Sequence, residues 1–225
     1  MTEEPRNWSD RADELAADAI AAGEPTAWFE QLYAEGVAGS TALAWDRETA
    51  NPLMLQWFDE HQDLREGSGK KAVVVGAGLG ADAARVASLG YDTTAFDVSP
   101  TAVRLASERV HGVHFQIADL FELPAEWRRS FDLVVEIYTV QALPRDLRTR
   151  AVAAVRDLLA TGGTACVIQA SLGRGDSADD GPPWPFTRDE IDQFAGEGVE
   201  LADLQPVASD GGPFATHWMA TLTRR

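Results

Sequence analysis

The sequence predicts an α/β protein: a doubly wound, mostly parallel sheet preceded by a helical segment. Three observations carry this. Short apolar runs alternate with helical patterns from residue 70 to about 170. A glycine-rich turn, "GAGLG" at Gly76 to Gly80, joins the first of those runs to the first of those helices. Residues 1–66 hold helical patterns and no convincing strand. Strands alternating with helices give parallel pairing, because each crossover returns the chain to the same end of the sheet. Ligands of such sheets bind beyond the carboxyl ends of the strands.

The N-terminal segment reads as three helices. "SDRADELAADAIAAG" is alanine-rich, with Ser9 or Asp10 as its cap and Gly23 as its stop. "PTAWFEQLYAEG" opens at Pro25 and Thr26 and closes at Gly36, with Trp28 and Leu32 on one stripe and Phe29 and Tyr33 on a flanking one. "NPLMLQWFDEHQDL" is capped by Asn51, with Pro52 at its first position.

The first strand, Ala72 to Val75, is purely apolar, as a strand covered on both faces must be. A helix follows from Leu79 to Leu89 and ends at Gly90; a second strand, Thr93 to Phe96, leads to Asp97. Ser99 caps a helix from Pro100 to about Val110. Then come the strands "VHFQI" and "FDLVVEI", the helix "RDLRTRAVAAVRDLLA", and the strand "TACVIQA" after a "TGG" turn. Residues 171–186, "SLGRGDSADDGPPWPF", have loop composition and exceed ordinary connections, which suits a lid. Thr187 starts the helix "TRDEIDQFAGEG" with Glu190 completing a capping box, and two further strands close the chain.

The chain has 225 residues, enough for one sizeable α/β domain, and 45% of them are hydrophobic. No apolar run approaches the roughly 20 residues of a membrane span. The acidic N-terminus lacks the apolar core of a secretory signal. A cytoplasmic protein without a membrane partner is expected. The net charge of −17 argues against a phosphate-backbone partner, so no nucleic acid is expected either. The single cysteine, Cys166, sits in an apolar run and reads as a buried structural thiol. The four histidines, His61, His111, His114 and His217, show no metal-ligand spacing, and no metal is expected.

Glycines between strand and helix let a ligand approach the backbone, and the helix N-terminus adds free N–H groups. The motif alone fits a nicotinamide dinucleotide as well as S-adenosylmethionine (SAM), since "GAGLGA" is followed by an acidic residue, Asp97, about 20 residues on. The downstream series decides between them. "FDVSPTAVRLA", "VHFQIADLFELP", "FDLVVE" and "LLATGGTACVI" follow in order, and with the glycine loop they resemble the class I SAM-dependent methyltransferases over residues 70–170. "WFEQLYAEG", "WDRETANPL" and "PPWPFTRDEI" are similar to the thiopurine S-methyltransferase-like group, whose members act on small thiols and halides as well.

This resemblance implies a Rossmann-like, seven-stranded sheet with its last strand antiparallel. It divides the chain into a helical lid, residues 1–66, and a SAM-binding domain, 67–225. It places Trp28 and Trp45 against the cofactor, Gly76, Ala77 and Gly78 at its methionine part, and Asp97 with Val98 at its ribose. Asp119 and Leu120 fall at the adenine, and Glu136 and Ile137 line the site. The chain departs from the mammalian enzymes at Ile137, where they carry an arginine.

Methyl transfer from a sulfonium is an in-line displacement, so the protein chiefly aligns a nucleophile and excludes water. A thiolate or halide needs no strong base; an alcohol does. The candidates for a catalytic role are Tyr138 and Gln141, just past the fourth strand, and His61. The expected function is methylation of a small-molecule acceptor, preferably at sulfur, by a monomer or homodimer. The competing readings are O- or N-methylation of a natural product, a nicotinamide-dependent oxidoreductase, and a SAM-binding protein without catalysis. Against the oxidoreductase, both lysines, Lys70 and Lys71, precede the first strand and leave no Tyr-Lys pair.

Overall fold

Seven strands build the sheet: β1 (Lys71–Val75), β2 (Asp92–Asp97), β3 (Val113–Ile117), β4 (Phe131–Ile137), β5 (Leu159–Ala170), β6 (Val199–Ala208) and β7 (Thr216–Arg224). A computed structural model describes residues 8–43, 45–173, 177, 181–208 and 214–225 of the chain. The strand order is β3-β2-β1-β4-β5-β7-β6. β1 to β5 pair in parallel, and β7 runs antiparallel to both its neighbours. The order reverses between β1 and β4, which makes the crevice above those two strands the natural ligand position. One pairing row, Phe96–Val75–Glu136–Val167–Ala220, marks the level at which β1 ends.

Seven helices accompany the sheet among the described residues: α1 (Trp8–Ala21), α2 (Ala27–Val37), α3 (Pro52–Glu60), α4 (Ala81–Ser88), α5 (Pro100–Arg109), α6 (Arg145–Leu158) and α7 (Arg188–Asp192). One face of the sheet buries Val73, Val134, Val167 and Ala220 against Val152 and Val155 of α6. The other buries Val74, Leu133, Val135, Cys166 and Met219 against α3 and α4. α3 is part of this core: Met54, Trp57 and Phe58 are fully buried. Each such aliphatic or phenyl side chain contributes about 1.5–3 kcal/mol on burial. Cys166 is fully buried in β5, and burial pushes its thiol well up.

The local stop and start signals act largely as expected. Asn51 accepts a hydrogen bond from Leu53 N, Ser99 accepts one from Ala102 N, and Thr187 and Glu190 form a reciprocal capping box. Several boundaries differ: Gly36 lies inside α2 rather than closing it, and the helix expected over Leu79–Leu89 is Ala81–Ser88. Ser9 and Asp10 lie inside α1 rather than capping it. The third helix stops at Glu60, and Gln62–Arg65 tighten into a 3-10 turn beyond the non-helical His61. α7 is only Arg188–Asp192, because Gly196, Glu197 and Gly198 all take positive φ and turn the chain into β6.

The "TGG" turn lies within β5 rather than ahead of it. Phe131 pairs with Leu159 but Leu133 with Thr164, so the glycines form a bulge that keeps the strand in register. Part of the 171–186 loop (174–176 and 178–180) lies outside the described residues. Its ends are tied down: Leu172 N donates to Phe186 O, and Trp184 N donates to Gln141 O.

Candidate active site

The glycine loop turns over the carboxyl end of β1 with Gly76 at φ 62 and Gly78 at φ 53, a backbone that L side chains rarely adopt. A Cβ on Gly76 would lie 2.1 Å from Thr139 Oγ1, and that hydroxyl itself donates to Val75 O. The close approach joins the glycine loop to the loop after β4. Ala77 N donates to Phe96 O, seating the turn against β2.

Asp97 ends β2 beside that turn. Its two carboxylate oxygens accept from Ser99 N and Gly78 N, both at 3.0 Å. Burial pushes its carboxyl up, against the opposing effect of these backbone donors. Glu30 of α2 reaches the same place: it accepts from Ser99 Oγ, Thr101 N and Thr101 Oγ1 at the N-terminus of α5. Burial opposes ionisation of Glu30, but those hydrogen bonds win and its carboxyl lies below the usual range. An acidic side chain at a helix N-terminus is favoured by the dipole, so Glu30 fastens α2 to α5.

A cavity of about 530 Å³ opens beside Asp97. Val98, Asp119 and Phe121 form its floor, and the 23–27 connection between α1 and α2 with Glu30 forms its roof. Asp119 Oδ1 accepts from Phe121 N, while Leu120 is buried behind it in the core. Of the expected cofactor residues, the structure thus gathers Gly76, Ala77, Gly78 and Asp97 at one turn and Val98 and Asp119 at the adjoining cavity.

The N-terminal aromatic residues divide. Trp45 faces the glycine loop, 3.8 Å from where a Cβ on Gly78 would stand, and packs edge-on against Tyr33. Tyr33, which sequence reasoning left on a flanking stripe, lies nearer still: its hydroxyl is 3.0 Å from that position. Trp28 instead stacks on Phe29 at 3.9 Å and packs with Ala12, Leu15 and Ala16 of α1. It is a wall between two helices. No sequence signal separates it from Tyr33, because both point inward from α2.

Beyond β4 the chain makes an unusual turn. Tyr138 has φ 62, a strained value for a residue with a side chain. Glu136 holds it there: its Oε1 accepts from Thr139 N and Val140 N, both at 2.9 Å, and its Oε2 accepts from Gln169 Nε2. Glu136 is fully buried, and burial lifts its carboxyl to about 7 despite these donors. Its position is under the site rather than lining it. Ile137 packs into the α3-side core.

Of the catalytic candidates, Tyr138 remains at the crevice, half-buried, with Asn51 and Arg47 near its hydroxyl. Gln141 is 3% exposed, and its Oε1 accepts from Ala170 N at 2.6 Å, so this amide stitches the loop to the end of β5. His61 is engaged elsewhere. It stacks on Trp57 at 4.4 Å, its Nδ1 meets Trp57 O, and its Nε2 meets Thr221 Oγ1. Thr221 pairs with Cys166 in the middle of the sheet, so His61 clamps α3 to β7 below the crevice. Among the described residues, no group of three acidic, histidine or cysteine side chains is placed to hold a metal ion.

The site therefore defines a class by its glycine turn, its acidic residue after β2 and its cavity over β2 and β3. Residues 72–163 match the family described as methyltransferase domain. The chain is 31% identical over 129 residues to the ubiquinone biosynthesis O-methyltransferase of Xanthomonas oryzae pv. oryzae (strain PXO99A), covering 52% of each protein. It thus spans about half the length of the curated relatives it matches. A SAM-dependent methyltransferase from Anabaena variabilis ATCC 29413 superposes with a TM-score of 0.69 at 16% identity, over 88% of this chain and 93% of that one. A Burkholderia thailandensis 1,6-didemethyltoxoflavin-N1-methyltransferase, solved with its substrate and S-adenosylhomocysteine (SAH), gives 0.63 at 19% identity, over 96% and 89%. The fold is the Rossmann-like fold of SAM-dependent methyltransferases.

Proposed function

We propose that the protein is a SAM-dependent methyltransferase acting on a small molecule, with α1, α2 and Trp45 contributing a lid while α3, expected to belong to it, packs in the core. The observation that carries this is the joined site: a positive-φ glycine turn, Asp97 beside it, and the cavity over Val98 and Asp119. These residues fit the cofactor. Gly76 and Gly78 hold the loop at positive φ between Thr139, Tyr33 and Trp45, a backbone turn over the end of β1 of the kind that receives the methionine part. Asp97 stands where ribose hydroxyls donate, and Asp119 where an adenine amino group donates. When bound, SAM supplies the activated methyl group.

The remaining work falls to the chain. Tyr33 and Trp45 cover the glycine loop and exclude water from it. Glu30 holds that cover closed through α5. Glu136 sets the loop that carries Tyr138 over the crevice. An acceptor placed between Tyr138 and the glycine loop is aligned for in-line attack, which is most of what this reaction needs.

The preferred acceptor is sulfur or another soft nucleophile, in keeping with the resemblance to the thiopurine S-methyltransferase-like group. A second reading, methylation at oxygen or nitrogen, is favoured by the relatives named as an O-methyltransferase and an N1-methyltransferase. We take the protein to be cytoplasmic, a monomer or homodimer, and without a nucleic-acid partner; no described helix is long and apolar enough to cross a membrane.

Calorimetric titration with SAH, with NAD in parallel, tests the cofactor. Micromolar binding of SAH and none of NAD is expected. Binding of NAD alone would return the glycine loop to the dinucleotide reading.

A further inference from the structure

His217 is a buried polar side chain at the crevice. His217 opens β7, pairing with Ala170 at the end of β5 and Val207 of β6. It lies three residues beyond Ala220, whose row marks the end of β1, and so about 10 Å further toward the ligand side. Alternation puts His217 on the face of Met219 and Thr221, the side covered by α3, and Trp218 on the α6 side with its indole N–H donating to Phe186 O. The imidazole is 5% exposed and tilts against the Tyr138 ring, centroids 5.5 Å apart. Its Nδ1 is buried with no hydrogen-bond partner among the described residues. A buried polar atom left unpaired costs about 1–3 kcal/mol and is rarely retained without a use.

Resting on the methyltransferase reading, we infer that His217 and Tyr138 form the acceptor subsite, which takes a phenol- or thiol-type X–H group whose proton is received by His217 Nδ1. The X lone pair then forms the bond to the methyl carbon as the carbon–sulfur bond of the sulfonium breaks. The bonding pair goes to sulfur, leaving a neutral thioether; X–CH₃ is released, and the imidazolium returns its proton to solvent. Two features suit the ring to this. Burial lowers its basicity from the ordinary value, so it is neutral and able to accept at neutral pH. The titratable group facing it is the Tyr138 phenol, itself held neutral by burial; no carboxylate or guanidinium pairs with the ring among the described residues. A halide carries no proton and leaves Nδ1 unused, so the site selects against halides.

The test uses SAH-saturated protein and 4-nitrophenol, which titrates near neutral pH and reports its protonation by absorbance. The phenol should bind with one-to-one stoichiometry and perturb one of the four imidazole Nδ1 resonances in ¹⁵N-histidine-labelled protein. His217→Phe should weaken that binding about tenfold, with SAH affinity within about twofold of wild type. His217→Asn, which keeps an acceptor near the Nδ1 position, should recover most of the affinity and identifies the resonance if the Phe variant does not fold. Unchanged 4-nitrophenol binding in folded His217→Phe or His217→Leu, no perturbation of the His217 resonance in the wild-type protein, or no binding to the SAH complex at all, overturns the subsite. Failure of SAH itself to bind overturns the cofactor reading instead, and the two failures are read separately.

Discussion

Asp97, Glu136 and Tyr138 show how single residues tie the scaffold to the chemistry. Asp97 serves the glycine turn, since Gly78 N donates to it, as well as the ribose position proposed for it. Asp97→Ala should weaken SAH binding at least about tenfold, or about 1.4 kcal/mol, by calorimetry. Unchanged affinity in a folded variant would remove it from the ribose site. Glu136 makes a prediction about pH. Its folded value, about 7, lies above the ordinary 4.5, so the folded state holds this proton more tightly than the unfolded one. The stability it contributes is complete below about 4.5 and is lost as pH rises through 7. At about 1.4 kcal/mol per pH unit between 4.5 and about 7, the loss comes to about 3–4 kcal/mol. Glu136→Gln should flatten urea-denaturation stability across that window. Its carbonyl can keep Thr139 N and Val140 N, and Gln169, whose Oε1 has no hydrogen-bond partner among the described residues, can turn to accept from it.

At the scale of elements, one carboxylate supplies the polar contacts that dock α2 onto α5, beside the packing of Tyr33 on Ala102. Three donors of Ser99 and Thr101 converge on Glu30, and charge-assisted hydrogen bonds of this kind contribute about 1.5–3 kcal/mol each at most. Glu30→Ala should therefore loosen α1 and α2 while leaving the sheet folded. Hydrogen exchange would show faster opening of 8–37 with protection of β1 and β4 retained; uniform loss of protection would mean that these helices and the sheet open as one unit. The glycine loop is less forgiving. Gly76→Ala combines a positive φ with a Cβ 2.1 Å from Thr139 Oγ1, so the β1 and β4 loops must part. SAH binding should fall by more than about tenfold, and Thr139→Ser, which keeps the hydroxyl, should not rescue it.

For the whole molecule, the connection from β5 to β6 is tied by a part-buried ion cluster. Arg145 and Arg148 of α6 both donate to Glu190 at the start of α7, and Arg148, 3% exposed, also donates to Trp184 O and lies over the Phe186 ring. Burial brings the Arg148 guanidinium down to about 10, in spite of Glu190. Glu190→Ala removes the carboxylate that the two guanidiniums share and should cost about 1–3 kcal/mol in urea denaturation. A loss under about 1 kcal/mol would show that water reaches the cluster. Cofactor binding acts on the molecule as a unit: SAH at 100 times its dissociation constant should add about 2.7 kcal/mol and raise Tm by about 5–11 °C, and NAD should not.

What the sequence by itself determined was local. The apolar runs of β1 and β4, the caps Asn51, Ser99 and Thr187, and the glycine turn before α4 are short-range signals, and each acts through neighbours a few residues away. From these came the sheet and the gathering of Gly76, Gly78 and Asp97 at one turn. The rest was decided by contacts between distant segments. His61 is 160 positions from the Thr221 that occupies it, and Glu30 is 69 from Ser99. Tyr33 rather than Trp28 covers the glycine loop because α1 takes the Trp28 side of α2. His217 alternates with Trp218 in a strand whose two faces look alike until β5 and β6 pair with it. Only then does one face meet α3 and the other α6, because a strand side chain's surroundings are set by the layers packed on the sheet and not by its own period of two.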